Sequence, residues 1–243
     1  MKKLIIAAVL ASISLSASAA ETIRFAAEAT YPPFEFIDAN NKMQGFDIDL
    51  ANALCKEMQA ECTFTNQAFD SLIPSLKFKR FDAVISGMDI TPERQKQVAF
   101  TQPYYENSAL FIAEKGKVAD LAALKGKRVG MQNGSTHQKY LMEKHPEITA
   151  VPYDSYQNAI LDLKNGRLDA VFGDTAVVNE WLKQNNQLAA VGDKVTDADY
   201  FGTGLGIAVR QNNTELQGKL DAALAKVKAD GTYQTIYKKW FQQ

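Results

Sequence analysis

Short apolar segments of strand length alternate with amphipathic helical segments along this chain, and the alternation runs once and then begins again. Residues 22–27 alternate apolar and polar side chains as a strand does. Residues 46–58 carry Ile48, Ala51, Leu54, Cys55 and Met58 at helical spacing. Asp47 stands at the start of that helix, where a carboxylate can cap open N–H groups. Residues 81–86 read as a short strand ahead of Gly87, and Thr91-Pro92-Glu93 opens a helix with cap, first-turn proline and acid in order. The restart brings strands at 109–113 and 128–131, and Asn133-Gly134-Ser135-Thr136 turns into a helix running through Leu141. Helices at 156–163 and 174–182 flank a strand at 168–172; a strand at 206–210 and helices at 214–229 and 233–241 finish the chain. This order specifies an α/β fold. Gly202-Thr203-Gly204-Leu205-Gly206 has the wrong spacing for a dinucleotide loop and precedes a strand, so it reads as a backbone crossing or hinge.

The stretch ahead of the first strand has another character. Lys2 and Lys3 give a positive start, residues 4–10 are an unbroken apolar run, and Ala17-Ser18-Ala19 follows the A-x-A pattern. Residues 1–19 read as a secretory signal peptide cut after Ala19. A transmembrane anchor would need a longer run than this one, which Ser12, Ser14 and Ser16 interrupt. Removing the signal leaves 25 basic and 28 acidic residues, a net charge of −3. With no basic block, nucleic acid is excluded as the main partner. Without a later apolar span, the mature chain is expected to be soluble, exported and free of membrane insertion. In an oxidising compartment Cys55 and Cys62 favour a disulfide over a metal site, the alternative being two buried thiols.

Catalytic motifs are missing. There is no G-x-S-x-G elbow, H-E-x-x-H or Walker loop. His137 and His145, without a Cys or carboxylate cluster, make a poor metal site and read as surface residues. No metal or cofactor is expected. Polar residues do gather where strands end or helices open: Glu28, Asp89 with Arg94 five residues on, Ser135 with Thr136, and Asp174. In open α/β sheets ligands collect at the carboxyl ends of strands. An Arg there holds a carboxylate bidentately, a helix N-terminus adds N–H donors, and an Asp holds an ammonium. Together these suit an α-amino acid. Each also has a plain alternative: Arg94 lies in a charged run, and Asp174 can simply cap a helix.

At these residues the chain resembles a known family, the periplasmic polar-amino-acid-binding proteins of ABC transporters (solute-binding protein family 3). The segments that carry the resemblance are Tyr31-Pro32-Pro33-Phe34-Glu35, Gly45-Phe46-Asp47-Ile48-Asp49-Leu50, Leu72-Ile73-Pro74-Ser75-Leu76, Asp89-Ile90-Thr91-Pro92-Glu93-Arg94, Leu124-Lys125-Gly126-Lys127-Arg128-Val129-Gly130 and Ala229-Asp230-Gly231-Thr232-Tyr233. They are most similar to the arginine-binding subgroup. The resemblance implies a two-lobed periplasmic-binding-protein fold of type II, with the ligand in a cleft between lobes joined by two hinge crossings. Residues 20–108 and 201–243 would form one lobe and 109–200 the other.

The resemblance also implies roles. Arg94 would clamp the ligand carboxylate, helped by backbone N–H groups at Asp89 and Thr136. Asp174 would take the ammonium together with the carbonyl of Ser86 or Gly87, where relatives often carry a hydroxyl residue at the position of Gly87. Tyr31 and Phe69 would lie on either face of the ligand side chain, although from pattern alone both read as core. Glu28 and Asp89 would set a negative far end favouring a cationic side chain, with Gln132, Asn133 and His137 adding hydrogen bonds. The implied function is a periplasmic, monomeric binder of L-arginine that serves a membrane permease with a separate ATPase. Lysine, ornithine, histidine or glutamine are the alternative ligands, and an amino-acid or prephenate-type dehydratase on the same frame is the enzymatic rival.

Overall fold

A computed structural model describes residues 20–242, so the signal-peptide reading lies outside the described residues. In chain order the first half gives β1 (Thr22–Ala27), a small sheet of β2 (Thr30–Tyr31), β3 (Glu35–Ile37) and β4 (Met43–Gln44), then α1 (Phe46–Glu57), β5 (Glu61–Asn66), α2 (Leu72–Lys77), β6 (Ala83–Val84), α3 (Pro92–Gln95) and β7 (Val98–Phe100). The restart gives β8 (Ala109–Glu114), β9 (Arg128–Gln132), α4 (Thr136–Lys144), β10 (Thr149–Tyr153), α5 (Tyr156–Lys164), β11 (Ala170–Asp174), α6 (Thr175–Gln184) and β12 (Leu188–Val195). The chain ends with β13 (Ala208–Arg210), α7 (Thr214–Ala229) and α8 (Thr232–Phe241).

Two five-stranded sheets result, in the orders β5-β1-β6-β13-β7 and β10-β9-β11-β8-β12. In each, four strands run one way and one runs against them, β13 in the first and β8 in the second. β13 returns to the first sheet only after the second has been built, so the backbone crosses twice between lobes. Leu205 on the second crossing bridges both Asp89 and Tyr105. Gly204 sits there at φ +96°, and a Cβ on it would stand 2.5 Å from the Tyr105 carbonyl oxygen, so close passage requires glycine. The glycine cluster is thus a crossing, as its sequence suggested.

Apolar stripes bury these elements against one another. Leu50 and Leu54 of α1 pack with Leu220 and Leu224 of α7, and the same cluster reaches Ile112, Ile160 and Trp181 of the second lobe. Each such side chain contributes about 1.5–3 kcal/mol by leaving water. The junction runs through Tyr31, whose ring lies 5.1 Å from that of Tyr156. Smaller clusters hold the far faces of the sheets, one built on Phe111 and Phe172 and the other on Leu72, Leu76 and Phe81. The strand expected at 81–86 is only β6, because the chain leaves the ladder towards Gly87, at φ +51°. β5 and β10 have weak sequence signals because they are edge strands with mostly polar or half-exposed residues.

Cys55 at the end of α1 and Cys62 in β5 form the expected disulfide, with Cα atoms 5.9 Å apart. Closing so short a loop constrains the unfolded chain by about 2 kcal/mol. The Cys55→Ser/Cys62→Ser protein is expected to fold with a melting temperature lower by roughly 4–8 °C in a thermal scan.

Asp47 does not cap α1. Gly45 takes the cap position without a side-chain bond, and the Asp47 carboxylate turns inward. Its Oδ2 accepts from the Gly87 N–H at 2.8 Å and from the Tyr104 hydroxyl at 2.9 Å. Glu35 is equally buried and accepts from the Ser86 hydroxyl at 2.8 Å, which in turn accepts from the Glu28 N–H at 2.9 Å. The other oxygens, Glu35 Oε2 and Asp47 Oδ1, are buried with no partner, and a proton on Glu35 donated to Asp47 satisfies both. Burial, then the charge of Asp47, holds the Glu35 carboxyl well above the usual range; burial pushes Asp47 up to about 7. The folded chain therefore keeps a proton that the unfolded chain releases, and this contribution to stability is lost as pH rises from about 4 through the raised pKa of Glu35. In denaturant titrations Glu35→Gln is expected to flatten that decline relative to the unmodified protein; superimposable pH profiles would contradict the shared proton.

Candidate functional site

Asp174 ends β11, and the antiparallel register pairs it with Ala109, the first residue of β8. It occupies the cap position of α6 but makes no side-chain cap bond, so the simple capping role does not apply. Its carboxylate points to the other lobe. Tyr31 Oη donates to Oδ2 at 2.7 Å and accepts the Asp174 N–H at 3.1 Å. Asn107 Nδ2 donates to Oδ1 at 2.7 Å, and His137 Nε2 lies 3.1 Å from the same oxygen. All this happens at 1 % exposure, where a carboxylate without donors would be costly.

Arg94 lies in α3, which Thr91 caps by accepting the Arg94 N–H at 3.2 Å. Although its neighbours Glu93 and Gln95 are exposed, Arg94 is 8 % exposed, so it does not belong to a solvated charge run. Its guanidinium donates to the Asp89 carbonyl at 2.9 Å and, across the lobes, to the Gly134 carbonyl at 3.3 Å. The Phe69 ring stands 5.5 Å from it, at cation–π range. Burial lowers the Arg94 pKa, opposed by the charges of Asp89 and Asp174.

Asp89 carries the second interlobe carboxylate. Its Oδ2 accepts from Thr136 Oγ1 at 2.6 Å and its Oδ1 from Asn107 Nδ2 at 2.7 Å. Burial, then the nearby Asp174 charge, pushes its pKa up to about 7, with Arg94 and His137 pulling the other way. Ser135 caps α4 by accepting the Gln138 N–H at 3.2 Å and donates to the Gln132 carbonyl at 2.7 Å. Ser135, Thr136 and His137 at the start of α4 thus border the cleft beside Asp89.

Tyr31, Phe69, Gly87, Asp89, Gln132, Ser135, Thr136, His137 and Asp174 all border one interlobe space, together with Tyr156. Ser86 and Glu28 lie just behind it, coupled by the bond noted above. Two placements differ from the sequence reading. His137 is buried rather than on the surface, wedged against Phe172 and Phe201 at 5.1 and 5.0 Å, because α4 packs that face on the second lobe's aromatic cluster. Asp89 sits beside Asp174 and not beside Glu28, since the Leu205 bridge ties its backbone to the crossing. Glu28 does not line the space itself: it accepts from Thr30 Oγ1 at 2.6 Å, and burial raises its pKa, opposed by side-chain hydrogen bonds from Thr30 and from Gln132, which does border the space. Gly87 also finds its reason here, because a Cβ on it would touch the Tyr31 ring at 3.3 Å.

Sequence reasoning missed Asn107 and Tyr156. Asn107 lies in a stretch that reads as a connection, and only the β8–β11 register brings it to Asp174. Tyr156 looks like an ordinary apolar helix position, yet it takes the face of Tyr31. Among the described residues no His, Cys, Asp and Glu cluster could hold a metal ion, and no helix is long and apolar enough to cross a membrane. The arrangement sets a cation and helix N–H groups on one side, carboxylates on another and aromatic faces between, which suits a small zwitterion.

The family model for bacterial extracellular solute-binding proteins, family 3, matches residues 23–243. Two Escherichia coli proteins align over the full length of both chains. The putative ABC transporter arginine-binding protein 2 is 74 % identical and the ABC transporter arginine-binding protein 1 is 69 % identical. Among solved structures, a Salmonella typhimurium periplasmic binding protein described for its high arginine specificity is 58 % identical, with a TM-score of 0.89 over 91 % of this chain and 100 % of that one. The fold, the paired sheets and these similarities place the chain among the bacterial extracellular solute-binding proteins of family 3.

Proposed function

We propose that this protein is the periplasmic component of an ABC-type amino-acid importer, binding L-arginine as a monomer and delivering it to membrane permease subunits served by a separate ATPase. One lobe comprises residues 20–108 and 201–243 and the other 109–200, a division that sheet membership supports. The observation that carries the reading is an interlobe space bordered by Tyr31 and Asp89 from one lobe and by Thr136 and Asp174 from the other, with the buried Arg94 guanidinium beside it, bonded to the Asp89 carbonyl and across the lobes to the Gly134 carbonyl. The names of the two Escherichia coli relatives and of the Salmonella structure support arginine as the ligand.

Binding works by exchange. The residues around the interlobe space leave only about 10 Å³ between them. An amino acid is far larger, so the lobes part to admit it. The ligand carboxylate then takes the Arg94 guanidinium and the N–H groups opening α4. The ammonium takes Asp174 and a carbonyl at Ser86 or Gly87. The ligand stabilises the closed form only through contacts it makes to both lobes at once. Tyr31 and Phe69 offer faces to a planar guanidinium, and the Glu28 carboxylate offers it an acceptor. Lysine and ornithine bind less tightly, because an ammonium cannot fork or stack in that way. The negative end rests on Glu28, with Asp89 held at the ammonium end. The Asn133–Asp70 hydrogen bond at 2.8 Å and the Lys139–Glu93 ion pair join the lobes outside the site.

Calorimetric titration with the twenty amino acids and ornithine is expected to place L-arginine among the tightest; weak or absent binding of arginine would overturn the assignment. Asp174→Ala is expected to weaken arginine binding by about 100-fold, since truncation leaves the ligand ammonium unpaired. The variant is expected to fold, with a melting temperature lower by roughly 2–8 °C because Tyr31 Oη loses its buried acceptor and Asn107 one of two. Unchanged affinity would remove Asp174 from the site.

A further inference from the structure

Asn107 is used by neither the fold's apolar clusters nor the ligand roles above. It is half-buried on the first crossing, two residues past Tyr105, which Leu205 bridges, and two before Ala109, which pairs with Asp174. Its amide nitrogen stands 2.7 Å from Asp89 Oδ1 and 2.7 Å from Asp174 Oδ1. The NH₂ group has two hydrogens, so each carboxylate receives one. These carboxylates come from opposite lobes and repel each other; the charge of Asp174 is among the causes that raise Asp89. Arg94 is the cation nearby, but the guanidinium bonds recorded for it go to backbone carbonyls, and His137 Nε2, 3.1 Å from Asp174 Oδ1, reaches only that one acid. The neutral amide is the group that hydrogen-bonds both acids at once.

We propose that Asn107 is a positioning residue for lobe closure, its amide bridging Asp89 of one lobe to Asp174 of the other and so holding the ammonium-binding carboxylate in place. The inference rests on the amino-acid-binding reading. Four polar links then join the lobes at the cleft: Tyr31 to Asp174, Thr136 to Asp89, Arg94 to the Gly134 carbonyl, and Asn107 to both acids. The Asn107 link forms only when the lobes close, because its two acceptors belong to different lobes. Its loss therefore accelerates ligand release and leaves encounter with the open form unchanged.

The shape of the residue and its hydrogens can be separated. Asn107→Asp keeps the shape and replaces two donors with an acceptor facing two carboxylates. Asn107→Ala removes both shape and donors. If the amide hydrogens matter, Asp is the more damaging change; if Asn107 only fills space, Asp is the milder one. Stopped-flow measurements with L-arginine are expected to show dissociation accelerated about ten-fold by Asn107→Ala and further by Asn107→Asp, with association rates within about two-fold. Asn107→Ser, which keeps one donor, is expected between the unmodified protein and Asn107→Ala, and this pair suffices if the Asp variant fails to fold. An Asp variant milder than Ala, an Ala variant that releases arginine at the normal rate, or a loss located in association would each overturn the proposal. The unmodified protein reports on the ligand in the same experiment. Should it prefer another amino acid of the panel, the variants are compared with that one, so failure of the arginine assignment leaves the Asn107 result readable.

Discussion

A carboxylate stripped of water must find donors, and Asp174 finds all of its side-chain donors outside its own strand. Tyr31 reaches it from the first lobe and Asn107 from the crossing. That requirement ties the lobes together at one buried point. It also makes Asp174 the natural seat for a ligand ammonium, which can supply the same hydrogens with a full positive charge. The site is therefore built from groups that satisfy one another in the closed form and can be re-satisfied by a small zwitterion. Binding becomes a trade of interactions, with the differential between open and closed states setting affinity.

The topology makes the trade possible. Each sheet borrows one antiparallel strand, and the first sheet's comes from beyond the second sheet. The two crossings this demands run side by side, tied through Leu205 to Asp89 and Tyr105. Strand ends, crossings and helix starts consequently gather along one seam. Arg94 and Asp89 approach it from the first lobe, and Asp174 and α4 from the second. Behind the seam, Glu35 and Asp47 hold the Ser86–Gly87 segment through its hydroxyl and its N–H. A family of extracellular solute-binding proteins is the expected user of such a frame.

Much of this was legible from the residues. Helical spacing gave α1, α5 and α7 to within a residue or two, and the restart of the pattern gave two sheets. Arg94 and Asp174 each had a plain structural alternative and stood out only through their joint appearance with Glu28, Asp89, Ser135 and Thr136 at strand ends and helix starts. Other features were hidden for definite causes. β5 and β10 are edge strands with one polar face, and their sequences look like loops. Asp47 looked like a cap because helix starts favour acids, whereas its inward turn depends on Gly87 and Tyr104, which are distant in sequence. Asn107, His137 and the pairing of Asp89 with Asp174 are set by strand register and helix packing, which no local pattern encodes.

The central claim concerns the orientation of a zwitterion across the seam. A crystal structure with L-arginine bound tests it most directly. The account predicts the α-carboxylate on the Arg94 guanidinium, the α-ammonium on Asp174, and the guanidinium directed at Glu28 between Tyr31 and Phe69. A ligand lying the other way round, with its guanidinium on Asp89 and Asp174, or one seated outside the interlobe space, would contradict it.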